Sequence, residues 1–223
     1  QLAIHILDAR KSGISYITNM RHWATEYRPI LFQSVVYQPY DRDSIVAGVL
    51  PKVGSELEMS VLHKILGADM CFSQLYALSS GSTIYYKNAG GRYWRLVKSF
   101  PTYFSSANST RSSTEHTLTV QKQYEALSVC SLSSSTFYVF WRIVSNCRHL
   151  TNREFDSFYV SSSMVHDKAL VRLKMAFERS LLHNKQRVTT VNKSTGQIIQ
   201  DFYYLKLSKS IIDEIDKVLA VHY

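Results

Sequence analysis

Between Ile84 and Phe104 the chain concentrates the kinds of side chain that would hold a polyanion. The run reads IYYKNAGGRYWRLVKSFPTYF: seven of its 21 residues are aromatic, Lys87, Arg92, Arg95 and Lys98 are basic, and none is acidic. Ammonium and guanidinium groups neutralise phosphate, and Arg or Asn can each make two hydrogen bonds to a base edge. These types divide the expected work. Lys87, Arg95, Lys98 and the nearby Arg111 would contact phosphates; Asn88 and Arg92 would read bases, with Arg148 or Asn152 as further readers. From Met70 to Thr114 the sequence contains no Asp or Glu at all. The alternative reading is an edge hairpin whose rings are core and whose cations are only solvated.

Other chemistries lack their residues. An amino-methyltransferase needs a [DNS]PP[YFW] loop, but the four prolines, Pro29, Pro39, Pro51 and Pro101, are never adjacent. Gly90-Gly91 is the only glycine pair, so no GxGxxG or GxxxxGK loop exists for a dinucleotide or a phosphate chain. No carboxylate stands two residues before a lysine, as a PD-(D/E)xK nuclease requires, and HExxH and GxSxG are absent. The histidines are scattered. Cys71, Cys130 and Cys147 are odd in number with no CxxC spacing, which argues against a disulfide framework or a structural zinc and for a reducing, cytoplasmic setting. The net charge of +9 and the pI near 9.4 favour an anionic partner. The apolar run Leu2 to Leu7 is too short for a signal peptide, and no apolar run approaches a membrane span. The start without Met reads as a piece of a longer polypeptide.

The elements that must position these residues follow from pattern and punctuation. Asn88-Ala89-Gly90-Gly91 is a turn sequence, and the aromatic and β-branched residues on either side favour strand, so a hairpin or short strand pair is expected there. RPILFQSVVY (Arg28 to Tyr37) reads as a buried strand. A helix is expected from Ser55 as cap, with Glu58 completing a capping box and Gly67 as stop; Leu57, Val61, Leu62, Ile65 and Leu66 would face inward. Ser105 to Thr114 reads as a loop and HTLTV (His116 to Val120) as a strand. A helical segment from Gln121 to Asn146, interrupted near Ser133 to Ser135, ends in the nearly all-apolar TFYVFWRIV, which must be packed. Thr151 and Glu154 form a second capping box. His166 to Arg187 has helical spacing, with Lys168, Arg172, Lys174 and Arg179 largely off the apolar stripe, on a solvated face, the alternative being a phosphate track. A hairpin around Asn192 to Gly196 and a last helix capped by Ser210 complete the chain.

Three stretches carry a family resemblance. IYYKNAGGRYWRLVKSF, LSSSTFYVFWRIVSNCRHLTNREFDSF and IIDEIDKVLAVHY, in that order, resemble motifs in the C-terminal half of type IIG restriction–modification enzymes with adenine-specific DNA methyltransferase activity. The matches span about Arg28 to Tyr223. Asn146 stands where the family often has Asp, and Tyr159 where it usually has Pro. The resemblance implies a target-recognition region that binds double-stranded DNA beside an N-terminal methyltransferase domain of the same polypeptide. S-adenosylmethionine, and magnesium if the parent cleaves DNA, would then be cofactors of the parent and not of this stretch. It also implies a mixed α/β (α+β) fold: a twisted mixed β-sheet with packed helices, similar to DNA methyltransferase specificity domains. Residues 1–160 would form the recognition domain and 161–223 a helix–hairpin–helix extension packed on it. The rival readings are a nuclease with dispersed carboxylates and a protein-interaction module using the helices around Leu170 and Ile212.

Overall fold

A computed structural model of the protein describes residues 14–21, 24–41, 46–89, 96–193 and 196–223. In chain order these form β1 (Ile14–Ile17), β2 (Gln38–Asp41), α1 (Glu56–Leu66), β3 (Met70–Cys71), β4 (Ser82–Lys87), β5 (Val97–Lys98), β6 (Phe104–Ser106) and β7 (Glu115–Val120). Then come α2 (Glu125–Ser133), α3 (Ser135–Val144), α4 (Asn152–Asp156), β8 (Tyr159–Val160), α5 (Lys168–Asn184), β9 (Gln186–Asn192), β10 (Gly196–Phe202) and α6 (Lys209–His222). The fold is mixed α/β. In place of one mixed sheet, the described strands make four small antiparallel sheets, ordered β1-β2, β3-β8, β5-β4-β7 and β6-β10-β9. β9 and β10 follow one another closely in the chain, as antiparallel pairing allows, whereas a parallel neighbour needs a crossover of a dozen or more residues.

The caps at Ser55 and Thr151 and the break at Ser134 follow their sequence signals. Ser55 Oγ accepts the Glu58 N–H at 3.2 Å, while the Glu58 carboxylate takes the Gly54 N–H at 2.8 Å, one residue before the cap. Leu62 and Ile65 of α1 are buried, but Leu57 is 74% exposed, because it falls outside the stripe that helical spacing places under those two. Ser134 divides α2 from α3: its hydroxyl accepts the Phe137 N–H at 3.0 Å and so caps α3. Phe137, Phe140, Trp141, Ile143 and Val144 are buried, and Lys52 Nζ donates to the Ile143 carbonyl at 2.8 Å, placing a cation at the α3 C-terminus. The Thr151–Glu154 capping box forms, with the Thr151 N–H donating to Glu154 at 2.8 Å.

Three expectations are corrected. Arg28 to Tyr37 runs through two 3-10 turns, Thr25–Ile30 and Phe32–Ser34, and buries no residue; Pro29 has no N–H to give to a ladder, and none of the described strands pairs with the segment. The stretch expected as a loop from Ser105 begins as strand β6, which β10 recruits by pairing Ser105 with Ile199. The last helix begins at Lys209, so Ser210 lies inside it and does not cap it, and Asp213 pairs with Lys209 one turn back.

The buried side chains form one cluster that runs on both sides of residue 160. It includes Ile84, Val97 and Val120 from the β5-β4-β7 sheet, Leu127 and Trp141 from α2 and α3, and Leu170, Phe177, Ile212 and Ile215 from α5 and α6. The C-terminal segment is stitched on by β6–β10 pairing and by the Ser135 N–H, which donates to Asp216 at 2.8 Å. Gly81 is required by close approach: a Cβ there would lie 2.2 Å from the Val120 carbonyl oxygen. The three cysteines are free, and burial pushes the Cys130 thiol up to about 12, leaving it inert as a nucleophile.

Asp201 is the buried charge of the C-terminal hairpin. It accepts from Arg187 Nε at 2.8 Å and Lys185 Nζ at 2.7 Å, and the Arg187 hydrogen bond holds its carboxyl below the usual carboxylate range. A folded-state value below the unfolded one gives a contribution that is full above about pH 4 and is lost as pH falls through the folded value. Melting temperature should therefore drop on acidification below about pH 4. Asp201→Asn should lose about 2 kcal/mol near neutrality and show a shallower acid drop; an Asn variant with an unchanged acid profile would contradict this role.

Candidate nucleic-acid interface

The end of the β4–β7 pair brings together residues far apart in sequence. Lys87 closes β4 opposite Glu115, the first residue of β7. The backbone of Asn88 is then bonded on two sides: its N–H donates to the Thr114 carbonyl at 3.0 Å, and its carbonyl accepts the Leu150 N–H at 2.9 Å. That second bond docks the 146–153 segment onto the sheet end. The segment itself turns on Asn146, whose side-chain oxygen accepts the backbone N–H groups of Arg148 at 2.9 Å and His149 at 3.2 Å. Trp141 Nε1 donates to the His149 carbonyl at 3.0 Å, fixing the turn against the core.

Between the sheet end and this segment lies an open recess of about 410 Å³, lined by Tyr86, Asn88, His116, Leu150, Thr151, Asn152 and Arg153. Its lining offers amide, imidazole, hydroxyl and guanidinium groups and no carboxylate. Glu115 and Glu154, each next to a lining residue in the chain, are turned inward. Glu115 is consumed by Lys98 and by the Thr102 N–H and hydroxyl. Glu154 is consumed by Thr151 and by Arg153, whose Nη2 lies 2.7 Å from it. A rim of donors without facing carboxylates suits an electron-rich base edge or a phosphate.

The expected site residues fall into three groups. Asn88 and Asn152 line the recess, with Lys87 and the exposed Arg148 one and four residues from them in the chain. Arg111 is exposed at the same sheet end, its guanidinium donating to the Glu115 carbonyl at 3.3 Å. Arg92 and Arg95 lie outside the described residues, and so does Gly90-Gly91; Leu96, just beyond them, accepts the Lys87 N–H at 3.4 Å. Lys98 is a correction. It is 1% exposed, and its Nζ donates to Glu115 at 2.9 Å and to the Phe100 carbonyl at 2.8 Å. Burial lowers its pKa, opposed by Glu115. A lysine committed in this way has no path to a phosphate. The reason is register: Lys98 pairs with Tyr85, and its ammonium lies among the rings of Tyr85, Phe100 and Tyr203.

Reasoning from sequence missed His116 and Arg153. His116 stands opposite Tyr86 across the ladder, ring centroids 5.7 Å apart, a placement that only the strand register reveals. Arg153 had a readable signal, since Glu154 must face its cap and the preceding residue then points elsewhere on the helix. Among the described residues no group of three His, Cys, Asp or Glu could hold a metal ion, and no helix is long and apolar enough to cross a membrane. In comparisons with protein-family models, curated proteins and solved structures, the chain matches none.

Proposed function

We propose that this chain is a sequence-reading DNA module, of the type IIG target-recognition kind that its motifs resemble. It would dock on duplex DNA and position a methyltransferase domain of the same polypeptide in the cytoplasm. The same reading makes its fold a relative of DNA methyltransferase specificity domains. One observation carries the proposal: Asn88 and Asn152, two amide side chains from distant parts of the chain, line one recess that no carboxylate lines. Amides suit adenine edges, and Arg148 or Arg92 would suit guanine. Lys87, Arg95 and Arg111 would hold phosphates. The recess lacks the carboxylate that would hold ribose hydroxyls, so it does not fit S-adenosylmethionine, which this reading assigns to the other domain.

With Lys98 buried, the acid-free run keeps Lys87, Arg95 and Arg111 for phosphates. Duplex binding by the chain should weaken steeply with salt, with a log–log slope of roughly −3. Lys87→Ala should make that slope shallower by about one. A slope near zero would overturn phosphate docking. A second reading, a protein-interaction surface, draws on the exposed Tyr27, Ile30, Phe32, Val36 and Tyr37 in and after the 3-10 turns. Salt-insensitive association with a protein, together with no DNA binding, would favour it.

A further inference from the structure

Ser163, His222 and Asp167 form a hydrogen-bonded line that DNA reading does not use. Ser163 is exposed in the 3-10 turn Ser162–His166 between β8 and α5. Its Oγ lies 2.8 Å from His222 Nδ1, at the end of α6, and His222 Nε2 lies 3.0 Å from Asp167 Oδ2. Asp167 is the cap of α5, and its other oxygen accepts the Ala169 N–H at 2.7 Å, so the carboxylate is held on two sides. The Tyr223 hydroxyl donates to the Tyr159 carbonyl at 2.8 Å and fastens the chain just after His222 to β8. The hydrogen bond from His222 also holds the Asp167 carboxyl below the usual carboxylate range.

The chemistry follows from the tautomer. An ionised Asp167 accepts Nε2–H, which leaves Nδ1 of the neutral ring as an acceptor facing the Ser163 hydroxyl. Ser161 Oγ lies 2.7 Å from Ser163 Oγ on the other side and can donate to it, freeing the Ser163 proton for His222. This is the nucleophile, base and orienting group of acyl transfer. We propose that Ser163 is an activated nucleophile that accepts acyl groups from activated carboxylic esters. Ser163 Oγ attacks the ester carbonyl while its proton passes to His222 Nδ1, and Asp167 stabilises the imidazolium. The bond to the leaving oxygen then breaks, that oxygen takes the proton from His222, and the acyl group remains as an ester on Ser163. Water can reverse the sequence: it gives a proton to His222, attacks the acyl carbonyl, and releases the carboxylic acid as Ser163 recovers its proton.

The turn also limits the substrate. The N–H groups of Ser162, Ser163 and Met164 already donate to Asp69, Ser161 Oγ and the Ser161 carbonyl, so this turn offers no free pair of donors to an oxyanion. Losing one such donor costs about 10²–10³ in rate, which confines the site to esters with good leaving groups and excludes amides.

The test is acetylation by p-nitrophenyl acetate, followed by p-nitrophenolate release and by mass spectrometry of the labelled peptides, with the exposed Ser79 as internal reference. Ser163 should label about 100-fold faster than Ser79, and His222→Gln should bring it down to the Ser79 rate. Asp167→Asn keeps a capping side chain and should slow labelling in a protein that melts like the wild type. Ser163→Ala should abolish the fast phase. Labelling of Ser163 no faster than Ser79, an unchanged rate in both His222→Gln and Asp167→Asn, or a fast phase surviving in Ser163→Ala would each overturn the proposal.

Discussion

Replacing Lys98 by alanine is expected to lower the unfolding free energy by about 3–5 kcal/mol, because it leaves one member of a buried ion pair behind. The side chain is 1% exposed, and its partner Glu115 is 9% exposed. Glu115 would retain only the Thr102 N–H and hydroxyl as donors, in a site with little access to water. The Phe100 carbonyl would lose its donor, and the ring of Tyr203, which the ammonium faces at 5.4 Å, would lose a contact between the β5-β4-β7 sheet and the C-terminal segment. Lys98→Met keeps volume but not charge, so it should remain costly. Lys98→Met combined with Glu115→Gln removes both charges and should recover most of the loss. Urea and thermal unfolding measure all three. A Lys98→Ala protein that melts like the wild type yet binds DNA less tightly would return this lysine to the surface.

That lysine marks the boundary of what the sequence makes legible. Local signals carried well: the Ser55 and Thr151 caps, the break at Ser134 and the apolar face of α3 depend on neighbours within a turn or two. The acid-free run is rich in cations, but it does not say which of them lie outside. Tyr85 opposite Lys98 and Lys87 opposite Glu115 are facts of register, and a charge adopted by the core is indistinguishable in sequence from a solvated one. The 28–37 segment failed for the complementary reason. Its Ile, Val and Phe suit a strand, but strand propensity records packing against neighbouring strands, and none of the described strands pairs with it. The recess was half legible. Asn88 and Asn152 were chosen for their chemistry, whereas their meeting depends on the Leu150 to Asn88 backbone bond, and His116 enters only through pairing with Tyr86.

Asn88→Ala and Asn152→Ala should each relax discrimination at one base pair by about 1–3 kcal/mol, roughly 5- to 150-fold, while leaving the salt dependence close to that of the wild type. An amide that makes two hydrogen bonds to a base edge contributes to the difference between right and wrong bases, not to counterion release. Asn152 is exposed at the first residue of α4, where the cap is already supplied by Thr151 and Glu154, so its loss should leave stability within about 0.5 kcal/mol. The stitching at Asn88 is made by its backbone and survives truncation of the side chain. Since both residues line the same recess, their affected base pairs should be the same or adjacent, and the double variant should lose less than the sum of the two.

The most direct measurement is selection of duplexes from a randomised library at low salt by the wild-type chain and by the Asn88→Ala/Asn152→Ala double variant. The wild type should enrich a defined sequence, and the double variant should bind with similar overall affinity for unselected DNA while losing preference at one or two positions of that sequence. A wild-type chain that enriches nothing, or a double variant that enriches the identical sequence, would contradict the assignment of this recess to DNA reading.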